Sequence, residues 1–562
     1  MMEGKDSTYY SDYSENPVIQ YRMTKEYKGE NGKSTKINFE FKVPPAGSEL
    51  NNLTTMISTG DYTDMMDIAL YSGSIVDLYE EGVIQDLTPY VEKYMPNYIA
   101  YLEAHPDLKV TATNLVNGEK KYIQLYNYHY PSTLEQWCGY EYRRDWIIKY
   151  GKNPMDGSTF NGKYTVTNPD GTYDMTSWED NVVFPSGGSD PIYLSDWEWM
   201  FNIFKTALKE EGIKDGYCMS LSHGGFDPAG FLVSSFGGGG SIWYKNKDKI
   251  ELGLTSDNFR TYLKTVNQWY KNGWIDTAFP EHASDMFYKI DDTKVRQGKV
   301  GLWIGIESEL IGKLATEEGY SKDMVVYAAR PPINDLYGTE AQKNVQPYAF
   351  YQMGQEGQAV VITDKAAEKD MVALCSFIDS LYDEKNILLN YGLNKEQYDT
   401  TKNEFYTKYG LTEGSYTVTM NSEGIQEVEY NDLLKKDDSL KSACIANRLQ
   451  LGLIGLPDGY KLIDKTKTEA WNHAQAEWKA YTETGMLYSS FYSQLTAEEG
   501  SEASKISSNV KEFAYKNIPS FVLGTRDPAS DTDWNAYLKA INKYNPDKVT
   551  QIHQKLLETL NN

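Results

Sequence analysis

The order of strands and helices at the start of the chain restricts the fold more than any other feature of the sequence. In KINFEFKV (residues 36–43) four apolar residues alternate with polar ones, which is the period of a β-strand. Apolar residues at helical spacing follow, and MDIALY (residues 66–71) then has the character of a buried strand. Two strands joined by a helix run parallel with a right-handed crossover, so this opening predicts an α/β lobe.

The remainder of the chain continues this alternation. One helix is predicted to begin at Ser195, where Ser195 and Glu198 form a capping box, and another is predicted to run from Ser256 to Gly273. The C-terminal end again has apolar residues at helical spacing, which predicts further helices. Additional strands are predicted at 119–126, 216–222, 299–305, 324–329 and 358–363.

The length of the chain predicts more than one lobe, because 562 residues exceed the size at which a single hydrophobic core stops growing. The polar opening predicts a flexible N-terminal tail over 1–34. A segment rich in Gly, Asn, Asp, Ser and Thr predicts a surface insertion over 155–195. The predicted boundaries are 35–140 plus 299–357 for lobe 1, and 141–298 plus 358–562 for lobe 2, which includes the insertion.

The charge of the chain argues against nucleic-acid partners. With 55 Lys and Arg against 80 Asp and Glu, the formal charge of −25 repels nucleic acid and anionic lipid. No apolar run reaches the roughly 18 residues that a membrane span needs. The opening MMEGKDSTYYSDYSENP does not have the pattern of a signal peptide, so it fits either an intracellular start or a chain whose export signal has been removed.

The cysteines and histidines predict neither a metal site nor a cofactor. The four cysteines lie too far apart for a CxxC spacing, and Cys375 falls on the apolar face of a predicted helix. The six histidines are scattered and no HExxH is present, so a histidine-based metal site has no support.

Four consecutive glycines, Gly237 to Gly240, stand shortly before Trp243 and Tyr244. A phosphate-binding loop would need Lys and Ser/Thr after the last glycine, and Ile242 breaks that pattern. Two interpretations remain: a flexible loop, or a segment where a bulky ligand approaches the backbone while an aromatic ring stacks on it. The 46 Tyr and 12 Trp far exceed the 18 Phe, which suits half-wet surfaces such as carbohydrate clefts or protein contacts.

Several stretches resemble, in order, the large family-1-type extracellular solute-binding proteins of bacterial carbohydrate ABC importers, which are usually lipid-anchored. The stretches cover about residues 35 to 562. They are STGDYTDMMDIAL, EEGVIQDLTPYVEKYMPN, NGEKKYIQL with YRRDWIIKYGKNP, FGGGG with LTSDNFRTYLKTVNQWYKNGWID, QGKVGLW, and FVLGTRDPASDTDWNAYLKAINKYNPDKVTQIHQKLLETL.

This resemblance implies an α/β, two-lobed periplasmic-binding-protein-like fold with a hinge and a central ligand cleft. It also implies a non-catalytic, extracellular, monomeric receptor that captures an oligosaccharide and delivers it to a membrane permease. Two departures stand out. The lipid-bearing cysteine is missing from this chain, so the lipid anchor and the export signal rest on the resemblance alone. Where some relatives carry an EF-hand-like loop, GIKDGYC has too few oxygen ligands for Ca²⁺.

Ligands of open α/β sheets bind beyond the carboxyl ends of the strands, so the candidate ligand-binding residues are those that follow each predicted strand, together with two aromatics in other loops. Aromatic rings of this kind can stack on sugar faces, and the polar groups can bind hydroxyls. The candidates are Glu49, Tyr71, Tyr126, Asn127, His129, Trp137, His223, Phe226, Asp227, Trp243, Trp303, Glu307, Arg330 and Tyr348.

Other functions stay open at this point. A glycoside hydrolase or lyase would need a pair of suitably spaced carboxylates, such as Glu307 with Glu309 or Asp291 with Asp292, and such pairs arise by chance among 80 acidic residues. No GxSxG or SxxK pattern supports a nucleophilic serine. A surface adhesion module and a peptide receptor of the same fold are the remaining alternatives.

Overall fold

The computed structural model describes residues 9–44, 48–71, 73–130, 135–166, 175–227, 232–239, 242–306, 310–311, 324–349, 356–445, 449–463, 469–483, 485–487, 489–492 and 494–561.

The described strands, in chain order, are β1 (Tyr27–Lys28), β2 (Ser34–Thr35), β3 (Met65–Asp67), β4 (Asn114–Val116), β5 (Glu119–Lys121), β6 (Leu125–His129), β7 (Cys138–Arg143), β8 (Gly162–Val166), β9 (Met175–Asp180), β10 (Tyr217–Met219), β11 (Trp243–Asn246), β12 (Lys249–Leu252), β13 (Val300–Ile306), β14 (Val326–Ala329), β15 (Glu356–Ile362), β16 (Tyr416–Met420), β17 (Gln426–Tyr430), β18 (Gly452–Ile454) and β19 (Tyr460–Ile463).

The described α-helices are α1 (Pro17–Met23), α2 (Glu49–Thr59), α3 (Ile75–Glu80), α4 (Thr88–Tyr94), α5 (Pro96–Ala104), α6 (Pro106–Thr111), α7 (Arg144–Tyr150), α8 (Leu194–Glu210), α9 (Asp257–Lys271), α10 (Asp292–Arg296), α11 (Met371–Asp379), α12 (Lys395–Thr401), α13 (Glu404–Lys408), α14 (Asp432–Lys436), α15 (Asp438–Ile445), α16 (Glu469–Trp478), α17 (Ser489–Tyr492), α18 (Ala497–Val522), α19 (Asp531–Ile541) and α20 (Pro546–Asn561). None of these helices combines the length and the apolar character that a membrane crossing requires.

Lobe 1 is built on a four-stranded sheet with the order β18-β6-β15-β3. Strands β6 and β18 run parallel, and β15 runs antiparallel to both β6 and β3. Helices α3 to α6 and α11 contribute buried side chains to the core that packs against this sheet. Two smaller clusters extend lobe 1 around α12 to α15 and the β16-β17-β19 sheet.

Lobe 2 is built on a second four-stranded sheet with the order β10-β13-β7-β14. Strands β10 and β13 are parallel, whereas β7 is antiparallel to both β13 and β14. Its core includes buried residues of α8, α9, α16 and the C-terminal helices α18 to α20. The chain therefore visits the lobes alternately and passes between them within 130–137, 330–356 and 463–469. Residues 131–134, 350–355 and 464–468 of these three crossing segments lie outside the described residues.

The predicted division of the chain into lobes is wrong for two segments. Strands β13 and β14, which the prediction assigned to lobe 1 within 299–357, pair with β7 in lobe 2. Strands β15 and β18, which it assigned to lobe 2, pair with β6 in lobe 1. The hydrophobic pattern of a buried strand is the same in either sheet, so it carries no information about which strand becomes its neighbour.

The predicted flexible tail is wrong for residues 9–34. Helix α1 begins after Asn16, whose side chain accepts hydrogen bonds from the backbone amides of Val18 and Ile19. The Asn16 side chain also donates to the carbonyl of Ala443 at 3.0 Å, and Val18 and Ile19 are buried. The polar composition hid a short capped helix that covers the lobe 1 core, while residues 1–8 of the predicted tail lie outside the described residues.

Residues 36–43 follow the predicted alternation but do not form the predicted strand. Ile37, Phe39 and Phe41 are half-buried against the lobe 1 core, and the polar residues between them are exposed. The segment has no strand pairing with β3, the edge strand beside it, and a cavity of about 470 Å³ separates the two. A period of two fixes which side chains face the core, but it does not specify a hydrogen-bonded partner.

The predicted surface insertion at 155–195 is partly integrated into lobe 2. Strands β8 and β9 form a hairpin, and Val182 and Phe184 are buried in the core. Asp180 at the end of β9 binds Arg144 through two charge-assisted hydrogen bonds of 2.8 and 2.7 Å. The polar composition gave no sign of these anchors, and residues 167–174 lie outside the described residues.

Two predicted helices are present, with one difference in capping. Helix α9 begins as predicted, because the Ser256 side chain accepts a hydrogen bond from the Phe259 amide at 3.1 Å. Helix α8 begins one residue earlier than predicted, and Tyr193 rather than Ser195 is its N-cap. The Asp196 carboxylate accepts from the amides at Ile192 and Tyr193, which satisfies backbone donors at this end of the helix. The predicted core position of Cys375 is confirmed.

His553 is the most strongly perturbed histidine that the structure describes. It lies on α20 with 3% of its surface exposed, and its ring meets the edges of Phe491 and Tyr492. Neither ring nitrogen has a hydrogen-bond partner among the described residues. Burial therefore disfavours the charged imidazolium and lowers the pKa of His553 to about 4.

This burial makes a definite pH dependence of stability. The unfolded chain binds the His553 proton near pH 6.5, whereas the folded chain binds it only near pH 4. The free energy of unfolding should therefore fall by about 3 kcal/mol as the pH is lowered from 6.5 to 4. His553→Leu should remove this part of the pH dependence. Denaturant titrations at pH 7 and pH 4.5 would measure it, and equal pH slopes in the variant and the parent chain would contradict the assignment.

Candidate functional site

Three of the sequence-predicted residues belong to one edge of the lobe 2 sheet. Strands β10, β13 and β14 all end at this edge, and β7 begins there, as the pairings Ile306 with Cys138 and Ala329 with Tyr140 fix. The described candidates follow two of these strands and precede a third: His223 lies after β10, Arg330 after β14 and Trp137 before β7.

The lobe 1 sheet has a corresponding edge. Strands β3, β6 and β18 end there and β15 begins there, because β15 runs antiparallel to β3 and β6. Asn127 is the middle residue of β6, and His129 is the last residue of that strand. Tyr71 follows β3. Glu49 is the first residue of α2 in the same lobe and is partly exposed.

The crossing segments join these two edges directly. The first connects the end of β6 to the start of β7 through residues 130–137, and the second connects the end of β14 to the start of β15 through 330–356. Eight residues span at most about 28 Å when fully extended, so the two edges must lie close to each other. The space between them is the candidate ligand cleft, and both lobes contribute residues to it.

Asn127 and His129 place two polar groups around a glycine on the lobe 1 side. Asn127 is 2% exposed, and its Oδ1 has no hydrogen-bond partner among the described residues. A Cβ on Gly357 would overlap this oxygen and would lie 3.0 Å from His129 Nε2. Only glycine at this position allows the polar side chains of β6 to lie directly against the backbone of β15, because any other residue would place a side chain between them.

The imidazole of His129 is neutral at pH 7, because burial lowers its pKa below the ordinary value. A neutral imidazole has one nitrogen that donates and one that accepts. Together with the Asn127 amide oxygen, this pair offers both donor and acceptor capacity to a hydroxyl-rich ligand.

An aromatic cluster stands on the lobe 2 side. The Trp137 ring lies 4.9 Å from that of Tyr288 and 6.0 Å from that of Phe287, measured between centroids, and all three side chains are half-buried. Such edge-to-face packing holds the rings in place while leaving part of them accessible. Phe287 and Tyr288 escaped the sequence analysis because they follow no strand, although their position in a loop rich in acidic residues was a usable signal.

Trp303 is more deeply buried than predicted. It lies within β13 with 3% exposure, and its Nε1 donates to the Glu141 carboxylate at 3.1 Å. Trp303, Glu141 and Tyr288 line a cavity of about 10 Å³, near the smallest volume that holds one water. Trp303 thus supports the aromatic cluster from beneath in this conformation, and direct contact with a ligand stays a prediction.

Arg330 is held by a carboxylate of α16. Its Nε and Nη2 donate to Glu477 at 2.8 and 2.6 Å, and this hydrogen bonding raises the pKa of the guanidinium above its ordinary value. The ion pair fixes the guanidinium where the second crossing segment leaves the lobe 2 sheet.

His223 lies beside Tyr515 of α18, with ring centroids 4.7 Å apart. Burial and the nearby Lys511 lower the pKa of His223, so its ring is neutral at pH 7. Asp227 is buried in the same loop. Both residues keep the predicted place after β10, and their ligand-binding role stays a prediction.

Three predicted residues have side chains that pack inside the lobes. Trp243 is the first residue of β11, not part of a loop, and its Nε1 donates to Thr550 on α20 at 3.0 Å. Phe226 packs against Phe259 and Tyr515, and Tyr126 faces the lobe 1 core from β6. Loop position was inferred from the neighbouring glycines and polar residues, and these do not report the direction of a side chain.

The remaining predicted residues are peripheral or outside the description. Tyr348 lies before β15 against Gly485 and contacts the ring of Tyr244. Burial raises the pKa of Tyr348 to about 12. Glu307 lies outside the described residues.

The carboxylates Asp291 and Asp292, which could have served a hydrolase, are described, and each has its own cationic partner. Asp291 is paired with Lys294 at 3.0 Å and accepts from the Tyr217 hydroxyl, whereas Asp292 is paired with Arg296 at 2.8 Å. The alternative pair, Glu307 and Glu309, lies outside the described residues.

Two groups bring histidine and carboxylates within metal-binding distance of each other. They are Asp190, His473 and Glu477, and Asp276, His282 and Asp291. The first group already satisfies Glu477 with Arg330, and the second places Lys294 beside Asp291. A cation beside a carboxylate competes with a metal ion for it, so neither group is a strong metal site.

The sequence matches no protein-family model and no curated protein.

The fold does match solved structures. An extracellular solute-binding protein from Bifidobacterium longum subsp. infantis is similar with a TM-score of 0.61 at 16% identity, covering 92% of this chain and 91% of its own. An HMO-binding, ABC-transporter-associated solute-binding protein from the same organism is similar with a TM-score of 0.60 at 14% identity, over 93% and 92% of the two chains. The ABC-transporter substrate-binding protein FusA of S. pneumoniae, an EF-hand mutant in complex with fructo-nystose, gives 0.57 at 16% identity, over 98% and 97%. The chain therefore has the two-lobed α/β fold of these solute-binding proteins.

Proposed function

We propose that this chain is the substrate-binding component of an ABC importer, and that it captures an oligosaccharide between its lobes and delivers it to a membrane permease. The observation that carries the proposal is the pair of facing sheet edges, which the first and second crossing segments join. Strand ends are where open α/β sheets bind ligands, and here two such edges converge on one space.

The chemistry of the cleft favours a sugar. The half-buried rings of Trp137, Phe287 and Tyr288 suit the apolar faces of pyranoses. On the opposite side, Asn127 Oδ1 and the neutral imidazole of His129 can bind hydroxyls. FusA, a similar structure, is in complex with fructo-nystose, and the HMO-binding protein is associated with an ABC transporter, which adds support for this ligand class.

Capture would proceed by closure of the lobes. A ligand that contacts both edges binds the closed form better than the open form and shifts the population toward it. The permease would then recognise the closed form. No step in this cycle needs a catalytic group, so the proposed receptor is not an enzyme. We further propose an extracellular location with an N-terminal lipid anchor, and a monomer as the functional unit.

The first prediction concerns Asn127. Asn127→Ala should weaken oligosaccharide binding, yet it should leave the ligand-free protein as stable as before or slightly more stable, because it removes a buried oxygen that lacks a donor. Thermal melts without ligand and calorimetric titrations with the sugar would measure both effects.

Asn114 provides the matched control. It is also fully buried in lobe 1, but its Oδ1 accepts from Gln124 Nε2 at 2.9 Å. Asn114→Ala should destabilise the protein by about 1–3 kcal/mol, because it removes the oxygen that accepts the hydrogen bond of Gln124 Nε2. The same variant should leave the affinity for the sugar unchanged. If the Asn127 variant behaved like the Asn114 variant, Asn127 would be a structural residue only.

The second prediction concerns the aromatic cluster. Trp137→Ala and Tyr288→Ala should each weaken sugar binding about tenfold, since each removes a stacking face worth about 1.4 kcal/mol. Titration calorimetry would measure this, with Tyr544→Ala as a control at an exposed tyrosine. Unchanged affinity in both cleft variants would remove the stacking proposal.

The ligand class can be tested directly with a thermal-shift screen of the parent chain. The panel should contain plant, host and microbial oligosaccharides, including kestose, with di- and tripeptides as controls. A sugar at 100 times its Kd stabilises the folded state by about 2.7 kcal/mol. A shift confined to one glycan series, with no shortened products by chromatography, is the expected result. A response to peptides alone would keep the fold and replace the ligand, and shortened products would indicate an enzyme.

A further inference from the structure

Helix α16 binds the first crossing segment where that segment reaches lobe 2. The Gln475 side chain accepts a hydrogen bond from the Gln136 amide at 2.9 Å and donates to the Gln136 carbonyl at 2.7 Å. One side chain thus pairs with the backbone as a neighbouring strand would. Three residues further on, Trp478 packs against Gly139, where a Cβ would overlap the indole, and its Nε1 donates to the carbonyl of Tyr140 at 3.0 Å.

The same part of the chain also binds the second crossing segment. Glu477 accepts both hydrogen bonds of Arg330, the first residue after β14. The Tyr481 hydroxyl donates to the carbonyl of Pro331 at 3.2 Å. Farther along, the amide of Ala349 donates to the carbonyl of Glu483 at 2.8 Å, so the segment contacts the chain after α16 a second time.

Helix α16 itself belongs to lobe 2 and directly follows the third crossing segment. Ala470, Ala474 and Trp478 are buried in the lobe 2 core. His473 is tied to Asp190 at 2.8 Å in the segment before α8. All three crossings therefore meet one helix, which is packed into one lobe.

We propose that Gln475 and Glu477 are positioning residues for ligand capture: they bind the lobe 2 ends of the first and second crossing segments to α16, so that lobe 2, α16 and these ends move as one body. This inference rests on the proposed function, since it concerns how the two edges of the cleft meet around a ligand. Neither side chain needs to touch the ligand for this role.

The physical reason is the number of arrangements of the lobes in the open state. Segments that are pinned at their lobe 2 ends allow a narrow set of relative lobe orientations. Without the hydrogen bonds of Gln475 and Glu477, the lobes of the open state can adopt more relative orientations. Closure must then restrict these orientations, and the loss of conformational entropy opposes ligand binding. The burial of both side chains makes the pins effective, because water cannot readily replace their hydrogen bonds.

The test uses Gln475→Ala, with Gln475→Glu as a milder variant that can still accept from the Gln136 amide but cannot donate to its carbonyl. Asn267→Ala is the matched control. Asn267 is also a buried amide of lobe 2, and its Nδ2 donates at 3.0 Å to the carbonyls of Phe521 and Val522 in α18 rather than to a crossing segment.

Two measurements are made on each full-length variant. Small-angle scattering of the ligand-free protein reports the spread of lobe arrangements, and titration with the oligosaccharide that gives the largest shift in the thermal screen reports affinity. Gln475→Ala should broaden the ligand-free distribution and weaken affinity about tenfold, Gln475→Glu should have a smaller effect in the same direction, and Asn267→Ala should lower the melting temperature only.

The outcomes separate this inference from the proposed function. If the parent chain binds no sugar, the proposed function fails and the positioning role with it, although a broadened distribution in Gln475→Ala would still establish the pin. If the parent chain binds a sugar and Gln475→Ala matches Asn267→Ala in both measurements, the proposed function stands and the positioning role is overturned.

Discussion

Strand direction is the constraint on which the site depends. In each sheet one strand runs against its neighbours, β15 in lobe 1 and β7 in lobe 2, and each of these strands is entered from a crossing segment. That arrangement puts the ends of three strands and the start of the fourth at one edge of each sheet. Because the crossings are attached at those edges, the edges face each other, and the cleft follows from topology before any side chain is considered.

Buried amide side chains in this molecule have two different uses. Asn16, Asn114, Asn267 and Gln475 satisfy backbone or side-chain partners and thereby fix one segment against another. Asn127 is as well buried, but its oxygen faces a glycine and lacks a donor among the described residues. Natural folds rarely retain such an atom without a reason, and under the proposed function a ligand hydroxyl would provide the missing donor.

The sequence predicted which segments are strands and helices better than it predicted their partners. The strands near 300–306, 326–329 and 356–362 were each found from their apolar runs, yet all three were assigned to the wrong lobe. Asn127 and Trp137 were chosen as candidates because strand ends are recognisable in a sequence, and the structure places Asn127 within β6 and Trp137 directly before β7. Phe287 and Tyr288 were missed, since they follow no strand and only tertiary packing brings their loop to Trp137. For the same reason, the glycines before Trp243 suggested an open loop, whereas α20 covers that tryptophan.

The anchoring of the crossings on α16 matters because a ligand can shift the lobes only by the difference between its affinities for the closed and open forms. Under the proposed function the ligand is a sugar, which offers only a few stacking faces and hydroxyls, so the difference between its two affinities is limited. If the lobes have few accessible orientations in the open form, less of this binding free energy is needed to order them on closure. Glu477 is buried and Arg330 is half-buried, and such an ion pair is costly, since an apolar pair of similar size would often be at least as stable. The hydrogen bonds of this pair are directional, so they fix where the second crossing segment leaves the lobe 2 sheet, which apolar packing would not do. This geometric role accounts for the presence of charged groups here, since stability alone does not require them.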